Sequence, residues 1–314
     1  MMRVGVIGLG DWGNRVAKEY VLLQNEGKID ELYLCDMENE RLSSFKRGGK
    51  ELNLSDIKFE ARAEDLIGRV DAVHICTPNT SHYSLVKKML ENNIHVLVEK
   101  PMTQDVDTAK ELVELAEKKG LLLKTGLIFR FSNSIRKLRE MYETGVMEDV
   151  YFFDFEWHAN RNYVEGVDVV WDLMPHLIDM FEYITGGTAQ YVAGQRTAFR
   201  REALAEQAHI VLKIGKTKGI FNIGWFSEGK VRKITSYGNQ RTVTADILSQ
   251  EIKYIDKNGN QANIRIEGNN TIRDEALNFI EDYSTGKNNV NAASTALNNI
   301  RLLQEIMKQC EFVG

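Results

Sequence analysis

The sequence predicts two folded parts in series: an α/β domain on a doubly wound parallel sheet over residues 1–123, then an α+β domain on one open, predominantly antiparallel sheet over residues 124–314. Three observations predict it. Up to about residue 123, short β-branched runs alternate with stretches of helical period, as in a parallel sheet covered on both faces. Beyond Gly126 the rhythm changes to closely spaced strand-like runs joined by turns such as Lys257-Asn258-Gly259-Asn260, which read as hairpins. The length of 314 residues, at about 100–200 per domain, accommodates two cores.

In the first part, residues 4–7, 31–35, 57–60, 72–76, 94–98 and 121–124 read as strands because each is a nearly unbroken apolar run, the pattern of burial on both faces. Residues 15–23, 80–92 and 106–119 carry helical spacing between them. In the second part a helix over 133–144 leads into a strand over 150–157, and a helix over 173–185 follows a loop. Strands are then expected at 190–197, 208–214, 219–225, 231–237, 242–248 and 251–255, and helices at 272–283 and 292–309 close the chain. With helices on one face only, the open face of this sheet calls for a partner subunit, so a homodimer or homotetramer is expected.

Composition removes several classes of function. With 40 basic and 45 acidic residues in no long block, the formal charge of −5 offers no nucleic-acid footprint. No apolar run approaches 18 residues and the start lacks a secretory apolar segment, so a cytoplasmic protein without a membrane partner is expected. Cys35, Cys76 and Cys310 are too few and too scattered for a disulfide framework. The six histidines fall in no His-Glu-x-x-His and accompany no Cys-x-x-Cys, so no dedicated metal site is expected; His74 and His95, in or beside strands, read as structural. Only three prolines occur, where average usage of about 5% would give about fifteen. Pro78, Pro101 and Pro175 each stand beside a candidate site residue, and all three are expected to border one cleft.

Gly8-Leu9-Gly10-Asp11-Trp12-Gly13 follows the first strand directly and precedes a helix. Its glycines permit a tight turn, close approach of backbone to a pyrophosphate and close helix–strand packing, with the helix N-terminus facing the phosphates. Asp36 closes the second strand at the spacing of a ribose-binding acid. A carboxylate there accepts hydrogen bonds from a ribose diol and repels a 2′-phosphate, and the next residues, Met37 and Glu38, include no arginine, so NAD is favoured over NADP. Thr77-Pro78-Asn79 and Glu99-Lys100-Pro101 follow the fourth and fifth strands, at the edge where doubly wound sheets bind ligands.

Asp172 and His176, four apart at the start of a helix, share one face, and Pro175 is expected in the first turn, where its missing N–H costs nothing. The helix N-terminus disfavours imidazolium while Asp172 favours it and fixes the tautomer, which suits His176 to act as a base near neutrality. Arg130 and the loop residues Arg161, Asn162 and Tyr163 are candidate substrate contacts, the arginines having the geometry to clamp a carboxylate or diphosphate.

Taken together, Gly-x-Gly-x-x-Gly, Thr-Pro-Asn-x-x-His (77–82), Glu-Lys-Pro (99–101), Gly126 leading into Phe129-Arg130-Phe131, and Asp172-x-x-x-His176 resemble the glucose-fructose oxidoreductase/inositol dehydrogenase/rhizopine-catabolism (Gfo/Idh/MocA) family over nearly the whole chain. The resemblance implies a Rossmann domain and a nicotinamide-dependent dehydrogenase oxidising a secondary alcohol of a sugar, a cyclitol or a nucleotide-linked sugar. It implies that Lys100 lies between cofactor and substrate, that Asp172 and His176 complete the site, that Glu99 and His82 belong to the cofactor end, and that the Lys100–Pro101 bond is cis. The segment from Asn160 to His176 looks most like the branch acting at the 3-hydroxyl of UDP-linked N-acetylhexosamines or their uronates, although Leu177 stands where that branch has an acid. Inositol or free-sugar dehydrogenation, and non-catalytic dinucleotide binding, are the alternatives.

Overall fold

Side-chain alternation along each strand of the first part feeds two cores at once. In β1 (Arg3–Ile7) Val4 and Val6 enter one apolar cluster and Ile7 the other; in β2 (Glu31–Cys35) Leu32 and Leu34 take the first, Tyr33 and Cys35 the second. A strand apolar at every position is buried on both faces, and helices must cover each. The computed structural model describes residues 2–49, 51–160, 167–200, 202–287 and 293–314. Its first sheet is parallel throughout in the order β3-β2-β1-β4-β5-β6, with β3 Lys58–Glu60, β4 Ala72–Ile75, β5 His95–Glu99 and β6 Leu123–Gly126. The order reverses between β1 and β4, which opens a crevice at the carboxyl edge. Helices α1 (Asp11–Asn25), α2 (Asn39–Gly48), α3 (His82–Glu91) and α4 (Val106–Lys119) connect the strands. Of these, α2 escapes a sequence reading because only Leu42 and Phe45 of its ten residues are buried, too few to show a period.

The second sheet has nine strands in the order β14-β13-β12-β11-β7-β10-β9-β8-β15. They are β7 Val150–Asn160, β8 Gln190–Thr197, β9 Gln207–Ile214, β10 Thr217–Gly224, β11 Phe226–Gly238, β12 Arg241–Asp246, β13 Glu251–Asp256, β14 Gln261–Arg265 and β15 Glu311–Val313. Most pairs are antiparallel, but β7 runs parallel to β10 and β15 parallel to β8, so the sheet is mixed. Helices α5 (Asn133–Glu143) and α6 (Val169–Thr185) belong to this unit. On one face Phe153 and Phe155 of β7, Phe221 of β10 and Phe181 of α6 pack ring to ring, with centroids between 4.6 and 6.3 Å apart.

The division of the chain differs from a single cut at residue 123. One compact unit is Met1–Ile128 with Asn270–Ile300, the other Phe129–Asn269 with Arg301–Gly314. Helix α7 (Thr271–Thr285) and the start of α8 (Ala293–Gln309) therefore return to the parallel-sheet unit. The cause is apolar packing and one buried ion pair. Ala276 and Phe279 join the cluster of Val6 and Tyr20, Ala296 and Ile300 join the opposite cluster, and Lys124 of β6 is buried against Asp282 and Asn278 of α7.

Helix α6 also starts earlier than its apolar period suggests. Asp168 accepts the N–H of Val170 at 2.9 Å as its N-cap, and the same carboxylate accepts from Ala205 and lies 3.2 Å from Arg196. Pro175 consequently sits in the second turn, not the first, and the carbonyl of Trp171 has no N–H to receive there.

Candidate active site

The dinucleotide turn shows two kinds of glycine. A Cβ on Gly13 would stand 1.9 Å from the Gly8 carbonyl oxygen, and Gly8 has φ +94° with backbone 2.9 Å from any Cβ, so the turn itself excludes side chains at both. Gly10 differs: its φ is −63°, and the nearest atom to a Cβ there is a terminal nitrogen of Arg41 at 3.9 Å. The protein does not need that hydrogen for its own packing. The space lies at the N-terminus of α1, where the first N–H groups fall outside the helix ladder, and it fits the pyrophosphate of a dinucleotide.

Asp36 follows β2 and is buried. One carboxylate oxygen accepts the N–H of Leu9 at 2.7 Å and the other that of Glu38 at 2.8 Å, so the acid fixes the glycine turn as well as standing at the ribose position. The sequence reading found no arginine beside it. The structure brings one, Arg41 from the first turn of α2, 3.6 Å from Asp36 and 3.0 Å from Glu38. Proximity came through a helix that the sequence did not reveal.

At the carboxyl ends of β4 and β5, His82 ties two loops together. Its ring nitrogens lie 2.9 Å from the Pro101 carbonyl and 2.8 Å from the Thr77 carbonyl, with the ring almost wholly buried. Burial pushes its pKa down, against the upward pull of the two carbonyls. Thr77-Pro78-Asn79 and Lys100-Pro101 are thereby clasped, and the Lys100–Pro101 peptide is cis. The Ser81 hydroxyl reaches Thr77 and the Pro78 carbonyl, both at 2.7 Å. Two of the three prolines thus border one edge, while Pro175 belongs to the other unit.

Glu99 ends β5 beside Lys100. Its Oε1 accepts the indole N–H of Trp12 at 2.5 Å, and Nε2 of His74 stands 3.4 Å away. Gly126 makes room for it, since a Cβ there would come within 3.0 Å of all three carboxylate atoms. Burial pushes the Glu99 pKa up, but His74, the Trp12 indole and the charge of Lys100 outweigh it and leave the carboxyl below its ordinary value. His74, Cys76 and Glu99 place one donor atom each within 4.8 Å of one another, a cluster that motif spacing does not register.

In the second unit Asp172 and His176 lie one turn apart on α6, half-buried on a helix whose other residues from Val169 to Ile178 are, with the exception of Trp171, buried. Because α6 begins at Val169, His176 is two turns in, beyond the reach of the helix terminus invoked for it. Its environment is aromatic instead: the imidazole packs edge-on to Phe129 at 5.0 Å, Phe129 packs on Trp157 at 5.1 Å, and the Arg232 guanidinium lies 4.8 Å from the Trp157 ring. Arg130 is engaged by Asp179, its Nε at 2.8 and 3.1 Å and its Nη2 at 2.7 Å from that buried carboxylate. This intramolecular clamp engages the Nε and Nη2 edge of the guanidinium. Arg161, Asn162 and Tyr163 lie outside the described residues.

Comparison with known proteins agrees with this geometry. Residues 2–127 match the model of the Gfo/Idh/MocA oxidoreductase family with NAD-binding Rossmann fold, and residues 135–244 match the Gfo/Idh/MocA C-terminal domain. The chain is 26% identical over 195 residues to D-glucoside 3-dehydrogenase of Escherichia coli, covering 59% of this chain and 54% of that protein. It is 29% identical over 188 residues to UDP-N-acetylglucosamine 3-dehydrogenase of Acidithiobacillus ferrooxidans, covering 59% and 55%. These matches span about half the length of either curated relative. Among solved structures, a 3-ketoreductase from Actinomadura kijaniata in complex with NADP and TDP-benzene superposes with a TM-score of 0.87 at 17% identity, over 99% of this chain and 98% of that one, a likeness of fold. With the glycine turn, the clasped carboxyl edge and the mixed sheet in the matched order, the chain belongs to the Gfo/Idh/MocA family of oxidoreductases.

Proposed function

We propose that the protein is an NAD(P)-dependent dehydrogenase that oxidises a secondary hydroxyl of a sugar, with the 3-hydroxyl of a UDP-linked N-acetylhexosamine or its uronate as the favoured substrate and NAD as the favoured cofactor. The observation that carries the redox reading is the space over Gly10 at the start of α1, which the protein's own packing leaves open. NAD is supported by the buried carboxylate of Asp36 at the ribose position alone, since Arg41, 3.6 Å from it, is a cation of the kind that accommodates a 2′-phosphate. The substrate class is supported by the segment leading to His176 and by the 3-dehydrogenase activities of the two relatives.

A bound nicotinamide supplies a hydride acceptor. Oxidation of the carbinol also releases the hydroxyl proton, and His176 is assigned to take it on a ring nitrogen as the C=O bond forms, with Asp172 orienting the ring. Lys100 is assigned to stabilise the alkoxide as it develops. The test is nicotinamide reduction by the NAD-loaded protein over UDP-N-acetylglucosamine, its uronate, inositol and free hexoses. His176→Asn is expected to lower kcat about 10²–10⁴-fold while dinucleotide affinity stays the same. Wild-type kcat in that variant removes the base role from His176, and dinucleotide binding without turnover over the whole panel identifies a non-catalytic binder.

A further inference from the structure

The crevice at the β1/β4 reversal has two sides. Asp36, directly after β2, marks the side of the adenosine ribose, so the nicotinamide half of a dinucleotide belongs over β4, β5 and β6. Glu99 stands at the carboxyl end of β5, on that side, in register with Gly126 at the end of β6. His74 pairs with Leu97, two residues below Glu99, so the imidazole lies one layer deeper than the carboxylate. Whatever its protonation, this leaves the negative end of the pair toward the edge.

Two close neighbours of the Glu99 cluster add no second anion. Tyr20 of α1, in T-shaped contact with His74 at 5.8 Å, and Cys76 after β4 both have their pKa values pushed well up by burial, so neither adds an anion. Glu275 of α7 is a further buried acid felt by both, and Lys100 follows Glu99 in the chain. With Oε1 given to the Trp12 indole, the Glu99 carboxylate is held beside His74 and Cys76.

We propose that Glu99 sets the protein's preference between oxidised and reduced dinucleotide: its carboxylate, positioned by Trp12 and His74, stabilises the cationic nicotinamide of NAD⁺ over the neutral ring of NADH. The two ring states differ by one unit of positive charge, and a fixed anion in a partly desolvated site acts on that difference while leaving the shared contacts of ribose, pyrophosphate and adenine unchanged. Trp12 and His74 are positioning residues. The inference rests on the proposed function, since it needs a dinucleotide in the crevice.

The experiment measures the dissociation constants of NAD⁺ and NADH, and of the 2′-phosphorylated pair, for the wild-type apo protein and for Glu99→Gln, by calorimetry without sugar. Glu99→Gln is expected to weaken binding of the oxidised form about tenfold while the reduced form stays within a factor of about two. If the glutamine variant fails to fold, Trp12→Phe, which removes only the indole donor, is expected to shift the ratio in the same direction by a smaller factor. An unchanged ratio, or an equal loss for both forms as a merely structural role would give, overturns the proposal and leaves the function standing. A wild-type protein that binds none of the four dinucleotides overturns both.

Discussion

Gly10 and Gly13 stand three residues apart in one turn and answer to different constraints. Gly13 is excluded from carrying a side chain by a backbone oxygen 1.9 Å from its missing Cβ, and Gly10 by nothing inside the protein. Gly13→Ala is therefore expected to destabilise the first unit by several kcal/mol, because backbone cannot move aside as a flexible side chain can. Gly10→Ala is expected to leave the unfolding midpoint within about 0.5 kcal/mol of wild type and to weaken dinucleotide binding at least tenfold. Parallel denaturation and binding titrations of the two variants check this, and a destabilised Gly10→Ala protein of normal affinity would reverse the assignment. The GxGxxG spacing was legible in the sequence; which of its glycines serves the fold and which a ligand was not, since the distinction depends on what each absent Cβ would strike.

At the scale of the element, α6 combines three devices. Asp168 caps it, Gly186 ends it in the left-handed conformation with φ +74°, and it carries a buried carboxyl group, Asp179, and a half-buried one, Glu182. Burial pushes the Asp179 pKa up against the pull of Arg130, and burial raises Glu182 to about 7, opposed by the N–H it accepts from Ala189 at 2.9 Å. Between its ordinary value of 4.5 and about 7 the folded state holds a Glu182 proton that the unfolded chain has released. Stability therefore falls as pH rises through that window and levels above it. Glu182→Gln is expected to remove this slope, making the variant more stable than wild type at pH 8 by on the order of 1–3 kcal/mol and nearly equal to it at about pH 4. Urea unfolding at the two pH values measures it; a wild-type advantage at pH 8 would contradict the sign. The early start of α6 escaped the sequence because Val169 and Val170 are β-branched and poor helix markers, and the cap that overrides them draws on Ala205 and Arg196, far along the chain.

At the scale of the whole molecule, residues 270–300 follow β14 of the second sheet in sequence and belong to the first unit in space. Lys124 shows why. It lies in β6 with almost no exposure, and burial lowers its pKa against the raising effect of Asp282. Lys124→Ala would leave Asp282 buried without its cation, at an expected cost of about 3–5 kcal/mol, whereas Lys124→Met combined with Asp282→Leu is expected to recover most of it. Hydrogen exchange should show the loss in β1, β4, β5 and β6 rather than in the nine-stranded sheet. Protection lost equally from both sheets would show that the pair does not belong to the first unit alone.

The amino-acid sequence by itself determined most of the strands and helices, though not α2, β14, β15 or the start of α6, together with the parallel character of the first sheet, the glycine turn with Asp36 and the placing of Lys100 directly after β5, because these depend on local period and on spacing within single elements. Tertiary structure decided the rest: that α7 joins the first unit, that the second sheet is mixed, that Arg130 is engaged by Asp179, that Arg41 reaches Asp36, and that Trp12, His74 and Glu99 meet. Apart from Arg41 and Asp36, which are close in sequence, each is a contact between elements separated by tens of residues. Its partner is chosen by burial of charge and apolar surface, which no local pattern records.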